Sequence, residues 1–144
     1  MSHDLTLERG FAADPATVFA FVTDPDHLLD WWGPEGLTVP DHRLDFTAPG
    51  PWHSVMVNAE GGRYHVSGPV VSVDPPHSVE FTWAWHDAAD KRGHESRVRF
   101  EVADNGRGGA LFRLIHRAFT DAESVTAHNE GWTSSLRKLE RQFT

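Results

Sequence analysis

The sequence predicts an α+β domain, a curved antiparallel sheet with one long helix laid across it. Three observations carry this. Runs such as Val79–Trp85 and Val98–Val102 alternate apolar and polar residues, the period of strands with one buried face and one wet face. Clusters of Gly, Pro, Asp and Asn separate such runs at short intervals, which suits a meander of hairpins rather than parallel strands joined by helices. Residues 121–143 place Val125, His128, Trp132, Leu136 (or Ser135), Leu139 and Phe143 at three- and four-residue spacings, the stripe of an amphipathic helix.

The elements follow in order. Leu5, Leu7, Arg9 and Phe11 alternate with Thr6, Glu8 and Gly10 in a first strand. Asp14-Pro15 is a cap followed by a first-turn proline, and Val18, Phe19, Phe21 and Val22 give that short helix its apolar side. Asp24-Pro25 repeats the signal for a second short helix, which carries Leu28, Leu29, Trp31 and Trp32 and stops at Gly33-Pro34. From Leu37 to Ala118, turn clusters at 48–51, 60–62, 74–76, 86–95 and 104–109 imply about six more strands. Thr120 or Asp121 caps the final helix, whose far side carries Glu123, Glu130, Arg137 and Arg141.

Composition narrows the function. Residues 1–144 fit one domain, and a chain of this size buries roughly two-thirds of its unfolded surface without a staple. The net charge of −8 and the scattered basic residues argue against nucleic acid and against anionic membranes. No cysteine is present, which removes disulfides, thiolate zinc sites and a cysteine nucleophile. The first residues show no signal-peptide pattern and no segment approaches the length of a membrane span, so a cytoplasmic protein is expected. Gly-x-Ser-x-Gly is absent, and Gly106, Gly108 and Gly109 follow Asn105 between two strands, as a turn does. Ten histidines show no ligand-type spacing, so no metal and no cofactor is expected; His42, His53 and His65 on neighbouring strands are the least implausible ligand set.

Six tryptophans are many for this length. Each buries roughly 150–250 Å², so together they make either a large solid core or the lining of a cavity.

The order of motifs resembles a known family. Asp14-Pro15-x-x-Val18-Phe19, the run from Thr23-Asp24-Pro25 to Trp31-Trp32-Gly33-Pro34, Leu44-Asp45-Phe46 before a Pro-Gly turn, Trp52, His116-Arg117 and Gly131-Trp132 are similar to the Activator of Hsp90 ATPase homologue-like proteins. That family belongs to the START-related (SRPBCC) superfamily. The resemblance implies a helix-grip fold of about seven antiparallel strands around the C-terminal helix, with two short helices between strands 1 and 2 and a hydrophobic cavity between sheet and helix. One departure stands out, since Ala48-Pro49-Gly50-Pro51 replaces the usual Arg-x-Gly-Gly turn.

Inward positions give the candidate ligand-binding set: Trp52, Met56, Tyr64, Phe81, Trp83, Trp85, Phe100, Phe112, Leu114, His116, His128, Trp132 and Leu136. Apolar walls with few polar groups suit a small hydrophobic or aromatic ligand, held without being transformed. Counting alternately from Phe112 and Leu114 turns His116 inward, where an imidazole would orient a ligand carbonyl or move a proton. The other reading of His116 is a core histidine bonded within the protein. Two further functions stay open: an interaction module that meets a chaperone or, as a homodimer, its own copy, and a cyclase- or hydrolase-type enzyme with His116 as acid or base.

Overall fold

The computed structural model describes residues 3–143. Seven strands, β1 (Leu5–Phe11), β2 (Thr38–Arg43), β3 (Gly50–Val57), β4 (Arg63–Asp74), β5 (Ser78–His86), β6 (Arg92–Asp104) and β7 (Ala110–Arg117), form one sheet in the order β1-β7-β6-β5-β4-β3-β2. Every pairing is antiparallel. Strands β2 to β7 are a meander, and β1 closes it by pairing along β7, Leu5 opposite His116 and Phe11 opposite Ala110. Helices α1 (Pro15–Thr23) and α2 (Pro25–Leu28) bridge β1 to β2, and α3 (Ala122–Arg141) follows β7. This is the helix-grip arrangement. Among the described residues, no helix is long and apolar enough to cross a membrane.

The caps form where the sequence places them. Asp14 accepts from the Thr17 amide at 2.8 Å, Asp24 from Asp26 at 2.9 Å and Asp121 from Ser124 at 2.8 Å, each meeting a helix-start donor that has no partner inside the helix. Alternation holds equally well: Ala110, Phe112, Leu114 and His116 of β7 are all buried, as are Ser96, Val98, Phe100 and Val102 of β6.

Two boundaries differ from the sequence reading. The second helix ends at Leu28, so Trp31 and Trp32 lie beyond it in a turn, and Leu29 is exposed. The indole N–H groups explain this: Trp31 donates to the Phe21 carbonyl at 2.8 Å and Trp32 to Ser54 Oγ at 2.9 Å, two directions that one helical stripe does not serve. Gly33, at φ 81°, then reverses the chain in a conformation that favours glycine. The last helix ends at Arg141 rather than Phe143, yet Phe143 still packs on Phe11 and Phe21 with ring centroids 4.9 and 4.8 Å apart.

Candidate functional site

The middle of the space between sheet and helix is solid. Trp32 sits at its hub, with ring centroids 5.7 Å from Phe46 and Trp52, 5.8 Å from Trp132 and 5.9 Å from Trp83. Phe81, Phe100 and Phe112 continue the stack at 5.2 and 5.4 Å. Such tilted and edge-on contacts suit the positive edge and negative face of aromatic rings.

Space remains at one end. A cleft of about 450 Å³ opens between the start of β4, the end of β5, the 32–37 segment and one face of α3. Its walls include Trp32, Leu37, Met56, Trp83, Trp85 and Trp132. On α3 it meets Ala127, Gly131 and Ser135, which recur every four residues and so share a face. Small side chains there, opposite three indoles, leave the volume open. Asn58 and Tyr64 stand at the mouth, the Asn58 amide donating to the Tyr64 hydroxyl at 3.2 Å.

The 32–35 segment is tied to α3. Lys138 Nζ donates to the Trp32 carbonyl at 3.0 Å, and the Glu35 amide donates to Ser134 Oγ at 2.8 Å. The Glu35 carboxylate accepts from Arg137 at 2.9 Å and from Arg141. Those guanidinium bonds, Arg141 first, hold its pKa at about 2, well below the usual carboxylate range.

Both candidate histidines are neutral and fully engaged. At His128, Nδ1–H donates to the Ser124 carbonyl at 2.7 Å while Nε2 accepts from Trp85 Nε1–H at 2.9 Å. Burial pushes its pKa down. At His116, Nδ1 accepts from Trp132 Nε1–H at 3.1 Å, which leaves the proton on Nε2 to be donated to Ser96 Oγ at 2.7 Å. Ser96 in turn donates to the Trp83 carbonyl at 3.2 Å. Burial first, then the nearby His128, lowers the His116 pKa to about 2. No ring nitrogen of either residue is left over for a proton transfer at neutral pH.

The sequence-predicted set therefore divides. Met56, Tyr64, Trp83, Trp85, His128 and Trp132 line the cleft. Trp52, Phe81, Phe100, Phe112, Leu114, His116 and Leu136 lie in the buried core outside its lining. Sequence reasoning missed Glu35, Leu37, Asn58 and Ala127, and named Ser135 only as the alternative to Leu136 on the helix stripe. Trp32, Gly33, Pro34 and Gly131 had a signal in the Trp-Trp-Gly-Pro and Gly-Trp motifs, as Ser135 had in the stripe. Of the histidines weighed as metal ligands, His53 and His65 approach with ring centroids 5.7 Å apart, while His42 Nδ1 turns to the Leu44 amide at 3.3 Å.

Five of the six indole N–H groups have acceptors, and the exception, Trp83 Nε1, is buried without one.

Residues 12–144 match the family described as Activator of Hsp90 ATPase homolog 1-like protein. The crystal structure of the AHSA1 protein from Silicibacter pomeroyi is 57% identical, with a TM-score of 0.93 over 97% of this chain and 96% of that one. A Chromobacterium violaceum protein, 22% identical, superposes with a TM-score of 0.85 over 97% and 96% of the two chains, and a Rhizobium loti protein, 18% identical, with 0.81 over 98% and 96%. These two distant matches show the shared fold. No curated protein matches the sequence significantly.

Proposed function

We propose, from the premise that this chain belongs to the Activator of Hsp90 ATPase homolog 1-like family, that it holds a small hydrophobic or aromatic molecule in the cleft without transforming it. The observation that carries the reading is the cleft itself, about 450 Å³ walled by four indoles, Leu37 and Met56. Its size falls among small-molecule sites, which run about 300–1,000 Å³ and are mostly apolar. The polar groups around it are already paired: Glu35 with arginines, His128 with Ser124 and Trp85, Ser135 with the Gly131 carbonyl. Trp83 Nε1 has no acceptor, but it is buried rather than presented at the cleft surface, so the lining selects by apolar shape. A neutral histidine with both nitrogens engaged supports binding over acid–base chemistry at His116.

Gly131→Leu tests this directly. A Cβ on Gly131 meets only Pro34 Cγ, at 3.7 Å, so a larger side chain starts from open space on the cleft wall, and unchanged far-ultraviolet circular dichroism of the variant checks that the core is kept. Titration of an apolar fluorescent naphthalene probe, followed by indole emission, is expected to saturate for the parent chain and to weaken more than about tenfold in the variant, roughly 1.4 kcal/mol. Equal probe affinity in both proteins refutes the reading. Contact with a chaperone, which the family description suggests, predicts the opposite pattern: Gly131→Leu leaves complex formation intact, while substitutions of exposed residues abolish it.

A further inference from the structure

On the sheet face opposite the cleft, three side chains with metal-ligand chemistry converge. Strands β4 and β5 pair with Val66 opposite Trp85. Both of those point inward, so the neighbouring residues His65 and His86 meet on the outer face. Their rings stack with centroids 3.7 Å apart and planes 22° from parallel. Nδ1 of each lies 2.9 Å from the same oxygen, Asp90 Oδ1, in the loop between β5 and β6. That loop is closed by its own bonds: the Asp87 carboxylate accepts from the Ala89 and Lys91 amides at 2.9 and 3.0 Å. Asp90 is therefore held over the imidazoles by a hairpin with bonds of its own, to which His86 Nδ1 adds a 3.3 Å contact with the Asp90 carbonyl.

We propose that His65, His86 and Asp90 form a binding site for a divalent late first-row transition-metal ion, zinc above all. Two imidazole nitrogens and a carboxylate oxygen are the donors such ions select. All three donor atoms lie within 4.8 Å of one another. A tetrahedral ion with bonds of about 2.0–2.1 Å needs donors about 3.3 Å apart. The two 2.9 Å N···O separations approach that once the carboxylate retreats by a few tenths of an ångström, a movement open to an exposed loop residue. One imidazole must also turn out of the stack, because rings 3.7 Å apart and 22° from parallel point their Nδ1 lone pairs side by side rather than at one ion.

The surroundings suit the exchange of protons for metal. In the metal-free protein each Nδ1 carries a proton to the shared carboxylate oxygen, and the ion replaces both. Each displaced proton then moves to the Nε2 of its own ring. That of His65 is buried without a partner, so its new N–H needs an acceptor, supplied when the ring turns toward the ion. That of His86 lies 2.7 Å from Ser67 Oγ, a hydroxyl able to accept as well as donate. Arg92 Nε holds that hydroxyl at 3.1 Å, so the ligand ring has an oriented outer partner of the kind metal-bound histidines use. His53 is a neighbour outside the converging donor group, and its Nε2 faces Asp41 at 3.2 Å. Three protein donors with an exposed carboxylate leave a position for water, the pattern of an open site rather than a closed structural one.

The test uses the full chain without an affinity tag, stripped of metal and titrated with Co²⁺ and then Zn²⁺. One equivalent of Co²⁺ is expected to produce intense d–d bands that Zn²⁺ abolishes. Asp90→Asn and His86→Gln are each expected to weaken Co²⁺ binding by more than about tenfold, since even outer-shell changes cost about 10–100-fold. Asparagine tolerates the left-handed backbone at position 90, φ 61°, so Asp90→Asn keeps the hairpin and the far-ultraviolet circular dichroism. Absence of a saturable cobalt signal overturns the proposal. So does a signal that both variants retain, because the ion would then sit on other histidines.

Discussion

Acidification should destabilise this protein through one buried ring, His116. Its side chain is fully enclosed, and its pKa is lowered from 6.5 to about 2. An imidazole depressed in this way binds fewer protons folded than unfolded, so stability rises with pH between the two pKa values and is lost as pH falls through that window. Above about pH 7 both states are neutral and the contribution vanishes. Below 6.5 the unfolded chain takes up a proton that the native ring refuses, at about 1.4 kcal/mol per pH unit. At pH 5 the loss reaches about 2 kcal/mol, and this figure needs only a folded pKa well below 5. For a domain whose total stability is of order 5–15 kcal/mol, that is a substantial fraction.

The comparison that isolates His116 is His116→Gln, which does not titrate. At pH 7 the variant is expected to be less stable by about 1–3 kcal/mol, because Trp132 Nε1–H loses its buried acceptor. At pH 5 the gap should narrow by about 2 kcal/mol, as only the parent carries the proton penalty. Urea unfolding at both pH values measures the gap. A gap that stays constant, or a folded-state His116 resonance that titrates near pH 6.5, refutes the assignment. His128 acts in the same direction, but its ring lies 5.1 Å from that of His116 and the two interact, so the same comparison in a His128→Gln background removes its share.

Further predictions concern the helix, the hub and the tie. Gly131→Ala fills open space in a helix interior and should raise stability by about 0.5–1 kcal/mol in thermal unfolding; destabilisation would mean the wall is closed. Asp121→Ala removes the cap on α3 and should cost about 1 kcal/mol in urea. Trp32→Ala empties the hub and should cost about 3–5 kcal/mol, with a loss below 1 kcal/mol contradicting its central place. Glu35→Gln should speed amide hydrogen exchange over residues 33–37 while α3 exchanges as before.

The sheet was readable because its signal is local. Alternation within β5, β6 and β7 fixes which side chains face inward, and it turned His116 to the correct side. It did not reveal that Trp132 and Ser96 would use both of its nitrogens, since those partners lie 16 and 20 residues away. Glu35 was illegible for the same reason: its arginines are 102 and 106 residues distant and meet it only once the Trp-Trp-Gly-Pro segment docks on α3. Helical spacing through Trp31 and Trp32 misled because the two indoles seek separate acceptors. His65 and His86 come together through the register of β4 on β5, which composition does not encode, and Asp90 joins them through a positive φ at a non-glycine residue.

The end of β5 brings the two proposed sites within one peptide unit of each other. Trp85 points inward to the cleft and His86 outward to the cation cluster, because successive strand residues face opposite sides. The sheet separates their chemistry but not their backbone, so a change at position 86 can reach the cleft through Trp85 and its bond to His128. Asp90 sits in the hairpin loop, and among the described residues its side-chain bonds go to His65 and His86, both on the outer face. Asp90→Asn should therefore abolish strong cobalt binding while leaving probe uptake unchanged, and Gly131→Leu should do the reverse. Loss of both properties in either variant would mean that one structural change, rather than two independent sites, underlies the measurements.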